Sequence, residues 1–373
     1  GFDHALSSDD YDLRVSAITP ASQRLLKAFN VWSDITDTRV APYHDMHVWQ
    51  HGTDAEIHFD SASIGALDLG YIVENRVIQH CLHQRLQQAD NITLIADDAL
   101  EQFSDDYKGI LTLTLKSGEH VQTRLLIGAD GNRSRVRELA GIETQGWQYD
   151  QHALVATITT ELSNEQTAWQ CFLPDGPLAF LPLQDHLSSI VWSTAPEHAQ
   201  WLKELDPAAF EVQLAEAFEH RLGHVTLASE RAVFPLQSRY AQQYVRPGVA
   251  LIGDAAHSIH PLAGQGVNLG FLDVACLYDV VQGCLLKQRA IGSYECLRKY
   301  ERWRKGDNLG MMYMMDVFKR LFAIQTGPLK VLRDGGMKLT NSIEPLKQLI
   351  MQGASGLRGE LPSLLENTDS ASN

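Results

Sequence analysis

Val249-Ala250-Leu251-Ile252-Gly253-Asp254-Ala255-Ala256-His257-Ser258-Ile259-His260-Pro261-Leu262-Ala263-Gly264-Gln265-Gly266-Val267-Asn268-Leu269-Gly270 is the stretch on which the fold turns. Its four leading apolar residues predict a short buried strand ending in Gly253-Asp254. A Pro-Leu-Ala-Gly-Gln-Gly bend then feeds a helix expected from Val267 to Val281. The first N–H groups of such a helix have no partner within it, and its dipole favours negative charge on a ligand. Structural punctuation alone does not require three glycines, a proline, an Asp and an Asn in this order.

A second element of the same kind lies upstream, in Leu125-Leu126-Ile127-Gly128-Ala129-Asp130-Gly131-Asn132-Arg133-Ser134-Arg135-Val136-Arg137. An apolar strand again ends in a glycine-bearing turn, and a helix is expected from Ser134. Glycines let a flat or phosphorylated ligand approach the main chain. By itself this element is equally an ordinary Asp-Gly turn.

Working outward, the spacing of Leu25, Leu26, Phe29 and Trp32 predicts a helix over Pro20 to Asp37. Tyr43 to Phe59 reads as a hairpin around Gly52, and Val73 to Ala89 as a helix. Leu111–Leu115 and Val121–Ile127 read as paired strands. Strand patterns fill Ala153–Thr159, Trp169–Leu173, Leu178–Leu183 and Ser189–Ser193. A helix is expected at Pro207–Leu222, a strand near Arg231–Leu236, and helices beyond Gln288, down to a polar tail expected to be disordered over 366–373. The order predicts an α/β domain interrupted by an antiparallel β-rich block. One domain comprises 1–38, 71–150 and 243–287, and a second comprises 39–70 and 151–242. A helical region covers 288–365.

The 373 residues are 44% hydrophobic and 21% charged, which excludes wholesale disorder, collagen and coiled coil. No run approaches the ~18 consecutive apolar residues of a membrane span, and no signal peptide is recognised at Gly1. The five cysteines include no C-x-x-C pair, so neither a disulfide framework nor a zinc site is expected. A cytoplasmic protein is expected. The net charge of −15 argues against nucleic-acid binding. It also hides an asymmetry: Lys287 to Arg358 holds 14 Lys and Arg against 6 Asp and Glu, a local net of +8.

Other features have plainer explanations. His257, His260 and Asp254 do not make a metal site, since helical spacing does not hold across a Pro-bearing turn. Met311, Met315, Phe318 and Phe322 form one helical stripe, expected to pack as core against the β domain. The alternative is an apolar lip for a lipid, with Lys319, Arg320, Lys330 and Arg333 toward anionic headgroups.

The paired elements resemble the DG and GD motifs of the FAD-dependent aromatic hydroxylases, the class A flavoprotein monooxygenases. More narrowly, His260 to Gly270 with Asp273 resembles the signature of the ubiquinone-biosynthesis hydroxylases (the UbiH/UbiF/UbiI-VisC type), nearest in wording to UbiI/VisC. Leu13–Ile18, Asp150–Ala156, Phe180–Leu183 and Ile190–Ser193 resemble that family too. The resemblance implies a Rossmann-like FAD-binding domain with an inserted β-sheet substrate domain and C-terminal helices. It implies that Gly253 and Asp254 bind the ribityl chain of FAD, and that Pro261, Gly264, Gly266, Val267 and Asn268 line the isoalloxazine. Asp130 and Gly131, with Ser134 and Arg137, would form the second nucleotide motif, and Arg14 would lie on the adenosine side.

The implied reaction uses NAD(P)H to reduce the flavin and O2 to form a flavin hydroperoxide, which hydroxylates a polyprenylated phenol. No side chain need be the nucleophile. Implied partners are an anionic membrane surface, met peripherally at the inner face, and other ubiquinone-biosynthesis proteins. The family's opening βαβ unit with G-x-G-x-x-G is missing, so the chain is expected to be an N-terminally truncated form that holds FAD weakly or not at all. The alternatives are a flavin-free scaffold subunit and an FAD hydroxylase of soluble aromatics.

Overall fold

The computed structural model describes residues 11–105, 109–258, 265–322 and 326–366. Strand β1 (Val15–Ile18) enters helix α1 (Pro20–Ala28) through Thr19. The Thr19 side chain caps the helix start, and Pro20 occupies the first turn, where its missing N–H is no loss. The single helix expected over Pro20–Asp37 is broken at Asn30, which adopts a left-handed φ of 55°. A second helix, α2 (Trp32–Thr38), starts beyond it. There follow β2 (Ala41–Tyr43) and the expected hairpin of β3 (Asp45–Gln50) and β4 (Glu56–Asp60).

β5 (Gly70–Glu74) pairs antiparallel with β1 and β2, so Val73 belongs to a strand and the helix α3 begins later (Asn75–Gln87). The run Tyr71-Ile72-Val73 is β-branched and aromatic, which suits a pleated surface better than a helix. β6 (Leu100–Asp105), β7 (Leu111–Leu115) and β8 (His120–Thr123) make a small antiparallel sheet. The single strand expected over Val121–Ile127 is cut where the Thr123 hydroxyl donates to the Leu125 carbonyl. Its second half, β9 (Leu126–Gly128), leaves for another sheet and runs on to α4 (Arg135–Leu139).

The β-rich block comprises β10 (Thr144–Thr160), β11 (Thr167–Leu173), β12 (Gly176–Pro182) and β13 (Leu187–Thr194), then helices α5 (Pro196–Glu204) and α6 (Pro207–Ala217). β14 (Val225–Leu227) and β15 (Ala232–Ala241) return to it. Next come β16 (Val245–Arg246), β17 (Val249–Leu251), β18 (His257–Ser258), α7 (Gln265–Leu286), α8 (Tyr294–Phe322), α9 (Pro328–Ser342) and α10 (Glu344–Ala354). The large sheet runs β18-β15-β10-β13-β12-β11-β3-β4, with β14 on β10. Successive side chains alternate between its faces. One face buries Trp49, Leu154 and Phe180 against Phe210 and Phe218 of the α6 segment. The other faces a cavity.

β9 and β17 pair in parallel, with β16 beside them. Their core is closed by α7 and α8 through Cys276, Leu277, Leu297 and Tyr300. Residues Gly266–Leu286 are long and apolar enough to cross a membrane by length and composition. The helix nevertheless carries a fully buried Asp273 and packs on α1 through Ala275 and Leu272, as a core helix does. At its far end Cys284 is disulfide-bonded to Cys296 at the start of α8, which corrects the expectation of no disulfide. The helical turn brings together two cysteines whose spacing matches no framework pattern.

The buried face of α8 runs through Arg304, Asn308 and Met312. Of the methionine–phenylalanine stripe, Met311 is half-buried and Phe322 stacks on Phe172 at 3.7 Å; the Met315 and Phe318 side chains lie outside the described residues, as does that of Lys319. Arg333 does not face headgroups. It is turned inward, donating to the Phe322 carbonyl (3.2 Å) and pairing with Asp334 (2.7 Å). α9 is fixed to the hairpin by Asn341, which accepts from the His58 N–H. α10 is fixed by Gln348, which donates to the Ser63 carbonyl. The polar tail beyond Glu366 lies outside the described residues.

Candidate active site

The two strand-to-turn elements are neighbours in space. The register pairs Val249 with Leu126, Ala250 with Ile127 and Leu251 with Gly128, so both turns leave the same carboxyl edge. Ligands of open α/β sheets bind at that edge. At the first turn, the Asp130 carboxylate accepts from the N–H groups of Arg135 (2.6 Å) and Val136 (3.1 Å), closing the start of α4. Gly131 takes a left-handed φ of 79°. Ser134 accepts from the Arg137 N–H, and the buried Arg137 guanidinium donates to the carbonyls of Asn132 (2.7 Å) and Ala255 (2.8 Å). Arg137 thus ties the first turn to the second.

At the second turn Gly253 has φ 56°, and its Cα lies so near α7 that a Cβ on Gly270 would stand 3.3 Å from it. Below it, Asp273 uses both carboxylate oxygens. Oδ2 accepts from the Gly253 N–H (3.0 Å) and meets His257 Nε2 (2.6 Å). Oδ1 accepts from Arg304 Nε (2.8 Å) and Asn308 Nδ2 (3.2 Å). Arg304 also donates to Asn308 Oδ1 (2.7 Å), and the Tyr300 hydroxyl donates to the Leu251 carbonyl (2.8 Å). Burial alone would raise the Asp273 pKa, but the charges of His257 and Arg304 outweigh it and hold the carboxyl below its ordinary value. This brace was missed in the sequence, where Asp273 closes a signature and His257, Arg304 and Asn308 have no assigned part.

Asp254 is exposed at the turn, but the atoms crowded around it still desolvate its carboxyl and raise its pKa, against the pull of His257 and Arg14. Arg14 is exposed at the mouth of β1, so it lies within electrostatic reach of Asp254. Asn268 is buried. Its Oδ1 accepts from the Thr19 N–H (3.0 Å) and the Ser22 hydroxyl (2.7 Å), and its Nδ2 donates to the Ala17 carbonyl (2.7 Å). Its amide therefore locks α7 to the β1–α1 corner. Val267 packs half-buried beside α2 and α3, and a Cβ on Gly266 would meet none of the described residues. Pro261, Gly264 and His260 lie outside the described residues.

A helix start near an exposed carboxylate and an exposed guanidinium suits a ligand with hydroxyls and an anionic ring, as the isoalloxazine and ribityl parts of FAD present. No G-x-G-x-x-G occurs among the 373 residues to cradle the pyrophosphate.

Beside this crevice, a cavity of about 210 Å³ lies between β1 and β5, the open face of the large sheet, and α10. Ala179, Leu181 and Val191 form its floor, and Ile350 and Met351 its roof. None of its described lining residues is charged; the polar ones are Thr19, Tyr43, Gln170, Ser193 and Ser355. Burial pushes the Tyr43 hydroxyl up to about 12, so it stays protonated. Thr19 lines the cavity and also contacts Asn268, so the cavity adjoins the start of α7.

Paired turns on a parallel strand pair, beside a ring-sized apolar cavity against an antiparallel sheet, define a flavoprotein of the aromatic-hydroxylase class. Comparison with known proteins agrees. The family model described as "FAD binding domain" matches residues 6–305. The chain is 40% identical to 3-demethoxyubiquinol 3-hydroxylase of Escherichia coli, covering 93% of this chain and 88% of that protein. It is 39% identical to the mitochondrial ubiquinone biosynthesis monooxygenase COQ6 of Mus musculus, covering 93% and 82%. In fold it is similar to p-nitrophenol 4-monooxygenase PnpA of Pseudomonas putida, with a TM-score of 0.75 at 18% identity over 95% of this chain and 90% of that one. The chain belongs to this family of FAD-dependent monooxygenases.

Proposed function

We propose that the protein hydroxylates the aromatic ring of a polyprenylated phenol on the route to ubiquinone, with NAD(P)H as electron donor and O2 as co-substrate. FAD, when bound, supplies the oxygen chemistry. The chain's own residues position and enclose. Asp254, Arg14 and the Gly266 helix start would hold the cofactor, and the Asp273 brace fixes the turn that carries Asp254.

One observation carries the substrate reading: among the described residues, no cationic side chain lines the cavity. A benzoate or nitrophenolate buried there would keep an uncompensated charge, which is strongly unfavourable. A neutral phenol loses little. At about 210 Å³ the cavity is smaller than the ~300–1,000 Å³ of drug-sized sites. It suits one substituted ring, and a long tail must lie outside.

The solvent side of α9 supports a tail that stays near lipid. Leu332 and Leu339, on one face of the helix, are exposed away from the buried Met337, and Leu329 and Val331 are exposed nearby. Such a face suits peripheral contact with a membrane. Flotation with anionic vesicles should carry the protein upward, and Leu332→Glu with Leu339→Glu should leave it in the soluble fraction.

The deciding experiment is oxygen-dependent product formation by FAD-supplemented protein with NAD(P)H. A short-chain prenylphenol should gain one hydroxyl, and 4-hydroxybenzoate should not. Turnover of the benzoate with none of the prenylphenol would move the protein to the hydroxylases of soluble aromatics.

A further inference from the structure

We infer that the Gln170 amide is the polar anchor for the substrate's ring hydroxyl and so determines which aromatics the cavity accepts. Gln170 lies in the middle of β11, between Trp169 and Cys171, which pack into the core beneath α6. Strand alternation turns Gln170 the other way, with Ala168, onto the cavity wall. Its lateral neighbours in the sheet are Val48 on β3 and Ala179 on β12, with Val191 one strand further, none of which can bond an amide side chain.

Gln170 is only 7% exposed, yet its side chain has no hydrogen-bond partner among the described residues. Two other polar lining groups are satisfied locally: Thr19 by Ser22 and Asn268, and Ser355 by the Gln352 carbonyl. The open side of the amide is the cavity itself, so a ligand lodged there can supply its hydrogen-bond partner. A phenol O–H entering the cavity can donate to Oε1, or its oxygen can accept from Nε2. An aromatic without that hydroxyl leaves the amide unpaired, and sites built this way reject the deficient analogue.

The inference rests on the ring-hydroxylation reading, and its test separates the two. Calorimetric titration of the purified protein would compare 2-(3-methylbut-2-enyl)phenol with the matching prenylbenzene. The wild-type protein should bind the phenol about tenfold more tightly, as one neutral hydrogen bond allows. Gln170→Leu should lose that preference by weakening the phenol alone, with prenylbenzene bound as well as before or better. Gln170→Met, unbranched and of similar length, should behave alike and guards against local repacking. Equal losses for both ligands, or no loss for either, would overturn the assignment of Gln170 and leave ring hydroxylation standing. A wild-type protein that binds neither ligand would overturn both.

Discussion

The turns that end β9 and β17 stand side by side and serve one crevice, but they are held by different physics. The Asp130 turn secures itself locally: its carboxylate and Ser134 cap α4, and a single long side chain, Arg137, reaches across. The Gly253 turn rests on a buried brace drawn from α7, α8 and β18, with Asp273, Arg304 and His257 all nearly inaccessible. Local capping is worth little per residue and fails gently. A buried charge network is costly to leave half-made, because each partner removed strands another in low dielectric. The turn expected to carry the ribityl contact is therefore the one fixed from beneath.

The sharpest way to break this comparison is Arg304→Met. It removes the guanidinium that pairs with the buried Asp273 carboxylate and should cost about 3–5 kcal/mol in denaturant unfolding. A loss below about 1 kcal/mol would mean that the brace does not support the turn. Arg137→Met should cost less, about 1–3 kcal/mol, because it strands carbonyl oxygens and no charge. Asp130→Ala should cost about 1 kcal/mol, the usual worth of a helix cap. If it matched Arg304→Met, the two turns would not differ as described.

Acid sharpens the contrast further. The Asp273 carboxyl is held below its ordinary value, so its contribution is full above about pH 4. The contribution is lost as pH falls through the depressed value. The stability gap between wild type and Asp273→Asn should be flat near neutrality and close in acid; a gap that widened in acid would refute the assignment. Asp254 has the opposite sign. Its raised carboxyl favours the fold below the ordinary value and loses that benefit as pH rises through the folded one. Asp254→Asn should therefore leave stability at neutral pH equal or slightly higher while lowering flavin retention, read from visible absorbance after desalting. Retention as strong as wild type would remove Asp254 from the cofactor site.

Much of this arrangement was legible in the sequence. Strands β11, β12, β13 and β17 fall where alternation and glycine punctuation placed them, because their patterns are local. The helix break at Asn30 was not legible, since a left-handed asparagine interrupts a spacing that otherwise continues. The brace was hidden for a different reason. Asp273 meets Arg304 31 positions away, and Asn268 meets Ala17 251 away, and such pairings leave no periodic mark. Gln170 was hidden among strand residues because only the packed sheet shows which face it takes. The Cys284–Cys296 pair needed the helical turn between α7 and α8 to bring it together.

The roof over the cavity comes from α10, and the Ser355 carbonyl that follows accepts from Ala21 of α1. Residues near the two ends of the described chain thus meet only after everything between them is made. Domains generally fold as they emerge during synthesis, so the sheet that forms the floor can assemble while the roof is still unmade. The ring site therefore joins residues more than three hundred positions apart, and its enclosure depends on long-range closure of the chain more than its sheet floor does.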